Sequence, residues 1–217
     1  MHQEGAKQVE ITGLEDKRQI TVLLSCTMSG DLLPPQLLYQ GKTENCHPKI
    51  NFPKCWDVWH SENHWSNEET MLRFLDKIII PYVMKTRERL DLPLRHPALA
   101  IFDVFAAHRV ESFLTKLEGA GIKVKFIPGG CTGELQPLDL SGNAQFKEAV
   151  KSQFVTWYAK QISSQLKAGT SVKDCDVDLK LSNIKPVHAR WVINSWEKIS
   201  KENYVIKTGW YRSGMLK

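Results

Sequence analysis

Apolar positions recur along this chain with two different periods, and the switch from one to the other divides it into elements. Lys7 to Thr12 and Arg18 to Met28 read as strands, the second carrying Ile20, Thr21, Val22, Leu23 and Leu24, and Ser29-Gly30-Asp31 supplies a turn after it. Pro35 to Tyr39 is another short apolar strand, ended by Gln40-Gly41-Lys42, so the opening resembles an antiparallel meander. Cys46 to Asn63 shows little periodicity; Pro48, Pro53, Trp56 and Trp59 predict an ordered loop held by its aromatics. Ser66 then stands as an N-cap with Glu69 three residues on, followed by a helical stripe of Met71, Leu72, Phe74, Leu75, Ile78 and Ile79 that Pro81 is expected to kink or end.

The second half alternates differently. Ala98 to Phe102 is a continuous apolar run suited to a buried strand, and Val110, Phe113, Leu114 and Leu117 follow at helical spacing until Gly119-Ala120-Gly121. Ile122 to Ile127 predicts a strand, and Pro128-Gly129-Gly130 a loop. Asp139 is expected to begin a long helix that runs to about Lys167 and stops at Gly169. A final helix is predicted from Val187 to Ile199 with Trp191 and Trp196, and the tail beyond Asn203 carries no assignment. The order of elements predicts an α/β chain with a mixed sheet flanked by helices, antiparallel strands first and parallel crossover units after. The ribonuclease-H-like fold has this order if its first strand is missing from the front. The domain expected is residues 1–168, incomplete at its N-terminus, with 169–217 as a C-terminal helical extension.

Charge sharpens this picture. The chain holds 29 Lys+Arg and 24 Asp+Glu, a net +5, but Ser141 to Lys217 carries 13 basic and 6 acidic residues while Met1 to Leu140 carries 16 and 18. A basic last third beside an acidic first part suits contact with a polyanion, although a solvated lysine-rich helix surface gives the same count. The longest apolar stretches, such as Ile78-Ile79-Ile80, fall far short of the roughly 20 residues that cross a bilayer, and the N-terminus has no apolar signal core. No membrane partner is expected. Five cysteines without a Cys-x-x-Cys pair point to free thiols in a reducing compartment, cytoplasm or nucleus.

Two aspartates are the candidate chemistry. Asp103 follows the strand Leu99-Ala100-Ile101-Phe102 at the carboxyl edge of the sheet, where α/β folds bind ligands, and Asp139 stands at a helix start. Converging carboxylates hold a hard divalent cation; an N-cap and a strand-end turn would use the same residue types. His108, five residues after Asp103, is placed to assist or to serve structure alone. Lys147 and Lys151 lie side by side at a spacing of four and suit phosphate contacts, as they also suit a solvated surface; Lys160 turns to the opposite face. Cys46, Cys55, His60 and His64 invite a zinc reading through the His-x3-His spacing, against the plain alternative of an aromatic-packed loop. Cys131 lacks a legible His-Asp partner arrangement for a nucleophile.

The surroundings of the aspartates carry a resemblance. Ile101-Phe102-Asp103-Val104-Phe105-Ala106-Ala107-His108 resembles the strand-Asp-x4-His element of the pogo/Tigger-type transposases. Cys131-Thr132-Gly133-Glu134-Leu135-Gln136-Pro137-Leu138-Asp139 resembles their Leu-Gln-Pro-Leu-Asp element, with 35 residues between the two aspartates as that family spaces them. Thr21 to Pro35 and Asn63-His64-Trp65-Ser66-Asn67-Glu68-Glu69 extend the similarity to roughly residues 5 to 165. These are DDE-superfamily endonucleases, in which three carboxylates bind two metal ions that cut and rejoin DNA. The resemblance implies Asp103 as second carboxylate, Asp139 as third, Mg²⁺ or Mn²⁺ as cofactor, DNA as partner, and the nucleus as location.

Two departures accompany it. Val104 replaces an asparagine that many such proteins carry, and the first carboxylate has no evident counterpart: Glu10, Glu15 and Asp16 are the nearby acids, none on a central strand ahead of the meander. The chain is therefore expected to be a catalytically dead or incomplete transposase-derived endonuclease domain. The alternative is a non-catalytic domesticated module that tethers DNA or protein; a homo-oligomer is compatible with either.

Overall fold

Residues 20–216 are described by a computed structural model. The segment Lys7 to Thr12 and the acids Glu10, Glu15 and Asp16 lie outside these described residues. Strands β1 (Ile20–Leu23), β2 (Gln36–Gln40) and β3 (Asp57–Ser61) form one sheet in that order. β1 and β2 are antiparallel, with Ile20 opposite Tyr39, and β2 and β3 are parallel, with Gln36 beside Asp57. β3 lies inside the stretch that the aromatic residues predict to be loop. Its alternation is masked because both of its ends are polar and buried: Asp57 and Ser61 face inward. Asp57 is satisfied there by Gln36 Nε2 at 2.8 Å and by Arg73 Nε at 2.7 Å, as a buried carboxylate must be.

Helix α1 (Glu68–Phe74) is capped by Asn67 rather than by Ser66. Thr70 N donates to Asn67 Oδ1 at 2.9 Å and Asn67 N donates to Thr70 Oγ1 at 2.9 Å, a capping box set one residue later than Ser66 and Glu69 suggest. A π turn, Leu75–Ile79, joins α1 directly to α2 (Ile80–Arg89). Pro81 therefore neither ends the helix nor stands in a regular turn: it occupies the first turn of α2, where its missing N–H is tolerated. At the far end the buried guanidinium of Arg87 donates to the carbonyls of Leu94, Ala120 and Gly121 at 2.7, 2.9 and 3.1 Å.

β4 (Ala98–Phe102), α3 (Glu111–Gly119) and β5 (Ile122–Phe126) form a strand-helix-strand crossover, with the two strands parallel and Ala98 beside Ile122. β4 is not the buried strand its composition predicts, for Leu99 is 60% exposed. α3 covers one face of this two-stranded ladder; on the other, Leu99 is open while Ile101 packs against the first of the apolar clusters described below. The mixed α/β architecture holds, as small sheets flanked by helices, with three strands in one sheet and two in the other.

The long helix of the second half begins after Asp139, not at it. Two short helices, α4 (Thr132–Leu135) and α5 (Pro137–Leu140), precede α6 (Gly142–Lys167), and Ser141, at φ −152° and ψ −70°, makes the break. Gly169, at φ +92°, ends the passage after α6. α7 (Leu181–Ile199) and α8 (Asn203–Arg212) complete the chain. Val192 and Ile199 of α7 and Ile206 and Trp210 of α8 pack with Leu37 and Tyr39 of β2 and Leu138 of α5 in one apolar cluster. A second cluster joins Met71, Phe74, Leu75 and Ile78 to Phe113, Leu117 and Ile122. None of the described helices is long and apolar enough to cross a membrane.

Candidate active site

Asp103 follows the last residue of β4, on the loop leaving the carboxyl end of the β4–β5 pair. Its side chain is 40% exposed, and its Oδ1 accepts a hydrogen bond from His108 Nδ1 at 2.7 Å and from the Phe105 backbone N–H at 3.3 Å. His108 lies in a single turn of 3₁₀ helix (Ala106–His108), and its imidazole is buried among Phe102, Phe105 and Phe113, whose ring centroids stand 4.9, 5.5 and 5.6 Å away. Three aromatic walls fix the ring. A carboxylate held by a fixed N–H keeps one oxygen aimed, while Oδ2 has no protein hydrogen bond among the described residues.

Asp139 sits in α5, exposed, with Oδ1 accepting from Asn143 Nδ2 at 2.6 Å across the break into α6. Its Oδ2 is likewise without a protein hydrogen bond among the described residues. Ile101, two residues before Asp103, packs against the cluster containing Leu138, the residue before Asp139. The loop after β5, which leads to α4 and α5, runs beside the loop after β4: a Cβ placed on Gly129 would lie 3.7 Å from Val104 Cγ2. No hydrogen bond joins Asp103 to Asp139 among the described residues, and each has its own orienting partner.

Lys147 and Lys151 project from α6 along one groove of about 500 Å³ that also takes in Val22, Asn143, Phe146 and His188. Asn143 is shared between this groove and Asp139. Burial lowers the pKa of His188 below the ordinary histidine value, so the groove carries two lysine charges and a neutral imidazole.

The Cys-His set is rearranged. Cys46 and His60 come together, but with His47, which spacing alone did not single out; among the described residues these three form the one group of three side chains able to share a metal ion. Cys55 and His64 are not in it. His64 adopts φ +59° in the turn after β3 and its ring lies beside Trp65, so the His-x3-His spacing carries His60 and His64 apart. Cys131, free and half-buried, has no hydrogen-bonded base among the described residues.

The profile of the DDE superfamily endonucleases matches residues 17–210. The pogo transposable element with KRAB domain of Mus musculus is 24% identical over 203 residues, and its counterpart of Homo sapiens 25% identical over the same length; both alignments cover 93% of this chain and 30% of the relative. The chain thus spans about 30% of the length of these curated relatives. No solved structure matches. With a profile match running from β1 into α8, the chain belongs to the DDE superfamily endonucleases, as a pogo-type transposase domain.

Proposed function

We propose that this domain is the DNA- and metal-binding part of a nuclear, transposase-derived endonuclease with a ribonuclease-H-like arrangement of strands. The observation that carries this is the setting of Asp103: a half-exposed carboxylate at the carboxyl end of a parallel strand pair, oriented by an aromatic-clamped histidine and with one oxygen free. Asp139, exposed in α5, offers a second free oxygen. Hard oxygen donors of this kind suit Mg²⁺ or Mn²⁺, which take few protein carboxylates and complete their shell with water and phosphate. A divalent cation there would supply the charge that activates an attacking oxygen and stabilises a leaving one at phosphorus.

The chain's own residues have definable parts in this. His108 donates its Nδ1 proton to Asp103 and prevents that carboxylate from rotating, so it acts as a positioning residue. Asn143 does the same for Asp139 and, lying in the groove beside Lys147 and Lys151, links the carboxylate to the surface on which phosphates would lie. In a ribonuclease-H-like sheet a further strand bearing another carboxylate would pair between β1 and β4, whose outer edges have no ladder partner among the described residues. With two carboxylates rather than three, we read the described residues as binding DNA and metal without cutting.

Titration of Mn²⁺ into the purified domain tests the site. Asp103→Asn and Asp139→Asn should each weaken binding by roughly tenfold, equivalent to about 1.4 kcal/mol. Equal affinity for all three proteins would remove the assignment. DNA binding should weaken steeply with salt, and Lys147→Gln with Lys151→Gln should reduce the slope of log K against log salt by roughly 1.8, about 0.9 for each phosphate that is no longer neutralised. An unchanged slope would place the DNA elsewhere.

A further inference from the structure

We propose that Cys46, His47 and His60 form a zinc site that is separate from the two aspartates and ties the β2–β3 connection to β3. The three side chains arrive from two segments. Cys46 ends a 3₁₀ turn (Glu44–Cys46), His47 follows it, and His60 is the fourth residue of β3. Their ligand atoms all lie within 4.8 Å of one another, and His60 Nδ1 is 3.2 Å from His47 Nε2. Two imidazole nitrogens sharing a tetrahedral zinc at about 2.0–2.1 Å stand roughly 3.3 Å apart, so the spacing is already that of a chelate.

A hydrogen bond between opposite tautomers would account for the two rings. It gives no reason for a thiol in the same place. The backbone has made room for that thiol: a Cβ on Gly41, the residue after β2, would fall 2.7 Å from Cys46 Sγ, so only glycine lets the sulfur come this close. All three residues are half-buried, which limits access while leaving one side open.

The donor set chooses the ion. One thiolate and two imidazoles are soft and borderline ligands that favour Zn²⁺, whereas Mg²⁺ and Mn²⁺ favour the oxygens of Asp103 and Asp139. Three protein ligands leave the fourth tetrahedral position to water or to an incoming ligand. Binding converts the Cys46 thiol to a zinc-bound thiolate and passes its proton to solvent. A metal here would cross-link the connection between Gln40 and Asp57 to β3 itself, holding His47 against Tyr39, whose ring centroids stand 5.6 Å apart.

The test uses the whole chain, stripped with chelator and titrated with Co²⁺ as a visible probe. The expected result is the intense visible bands of a tetrahedral centre and a thiolate-to-metal charge-transfer band that saturate at one equivalent of Co²⁺, both abolished by one equivalent of Zn²⁺. Cys46→Ser should remove the charge-transfer band, and His47→Ala and His60→Ala should each weaken affinity roughly 100-fold. Cys55→Ser, His64→Ala and Asp103→Asn should leave the charge-transfer band and its endpoint unchanged, which separates this site from the carboxylate site. A charge-transfer band that survives Cys46→Ser would overturn the proposal, as would the absence of a stoichiometric endpoint in the unaltered chain. Should the substituted chains fail to fold, alkylation of the unaltered chain decides: saturating Zn²⁺ should protect Cys46 and not the exposed Cys55, and labelling of Cys46 at an undiminished rate would refute the site.

Discussion

Gly209, inside α8, is where the helix touches the segment that carries Asp139. A Cβ added there would strike the carbonyl oxygen of Pro137 and stand 2.5 Å from Ser141 Oγ and 2.8 Å from the Pro137 carbonyl carbon. Two effects of Gly209→Ala oppose each other. Replacing glycine by alanine in a helix interior stabilises by about 0.5–1 kcal/mol. Overpacking costs about 1–3 kcal/mol, and here the obstacle is backbone on a short helix, so no rotamer change relieves it. The clash should win, leaving the protein about 1–2 kcal/mol less stable and the urea midpoint lower by roughly 0.5–1.5 M. Gly119, the last residue of α3, provides the matched comparison, since nothing lies within 4 Å of its would-be Cβ; Gly119→Ala should stabilise by up to about 1 kcal/mol. Urea unfolding followed by circular dichroism measures both. A Gly209→Ala protein as stable as Gly119→Ala would show that α8 does not rest on the Pro137–Ser141 backbone, and with it the account of how Asp139 is placed would fall.

Two other outcomes follow from buried polar groups. Asp57→Ala removes the acceptor shared by Gln36 and Arg73 and should cost about 2–3 kcal/mol, less than a fully buried ion pair because Arg73 is partly exposed; a loss below about 0.5 kcal/mol in urea unfolding would contradict the network. Burial holds the pKa of folded His188 below its ordinary 6.5, so as pH falls through that value the unfolded chain takes up a proton before the folded one does. Stability should be fully present above this window and decline as acidity grows from about pH 7 toward pH 5, and His188→Gln should flatten the decline. An unaltered pH profile in that variant would show that His188 is not desolvated.

Much of this arrangement is legible in the sequence, for identifiable reasons. β4, α3 and β5 stand out because apolar runs of the right length are punctuated by Gly119 and Gly121, so the position of Asp103 at a strand end follows from local signals alone. β3 does not, because its inward positions are polar and are satisfied by Gln36 and Arg73, partners that no window of sequence contains. The break at Ser141 is equally silent: Asp139 looks like the start of a long helix, whereas the packing of Leu138 and Gly142 against Ile206 gives α5 its own direction. α8 is short and holds a glycine that propensity disfavours, and only its contact with Pro137 explains that glycine. His47 escapes notice because ligand-spacing rules pair His60 with His64, while the backbone turn at His64 sends that ring elsewhere.

The π turn between α1 and α2 holds one residue more than a regular helical turn would, and so sets everything beyond it back by about 100° around the helix axis. Met71, Phe74, Leu75 and Ile78 lie before or within that offset and face the apolar cluster; Arg87 lies after it and faces the carbonyls flanking β4 and β5. Beyond the turn Ile80, Tyr82 and Val83 still pack on that cluster, while Arg87 reaches the carbonyls. Deleting one residue from Leu75–Ile79 would shorten the polypeptide by almost nothing, yet it would swing the guanidinium away from its three acceptors and leave the strand that leads to Asp103 without its anchor at the opposite end.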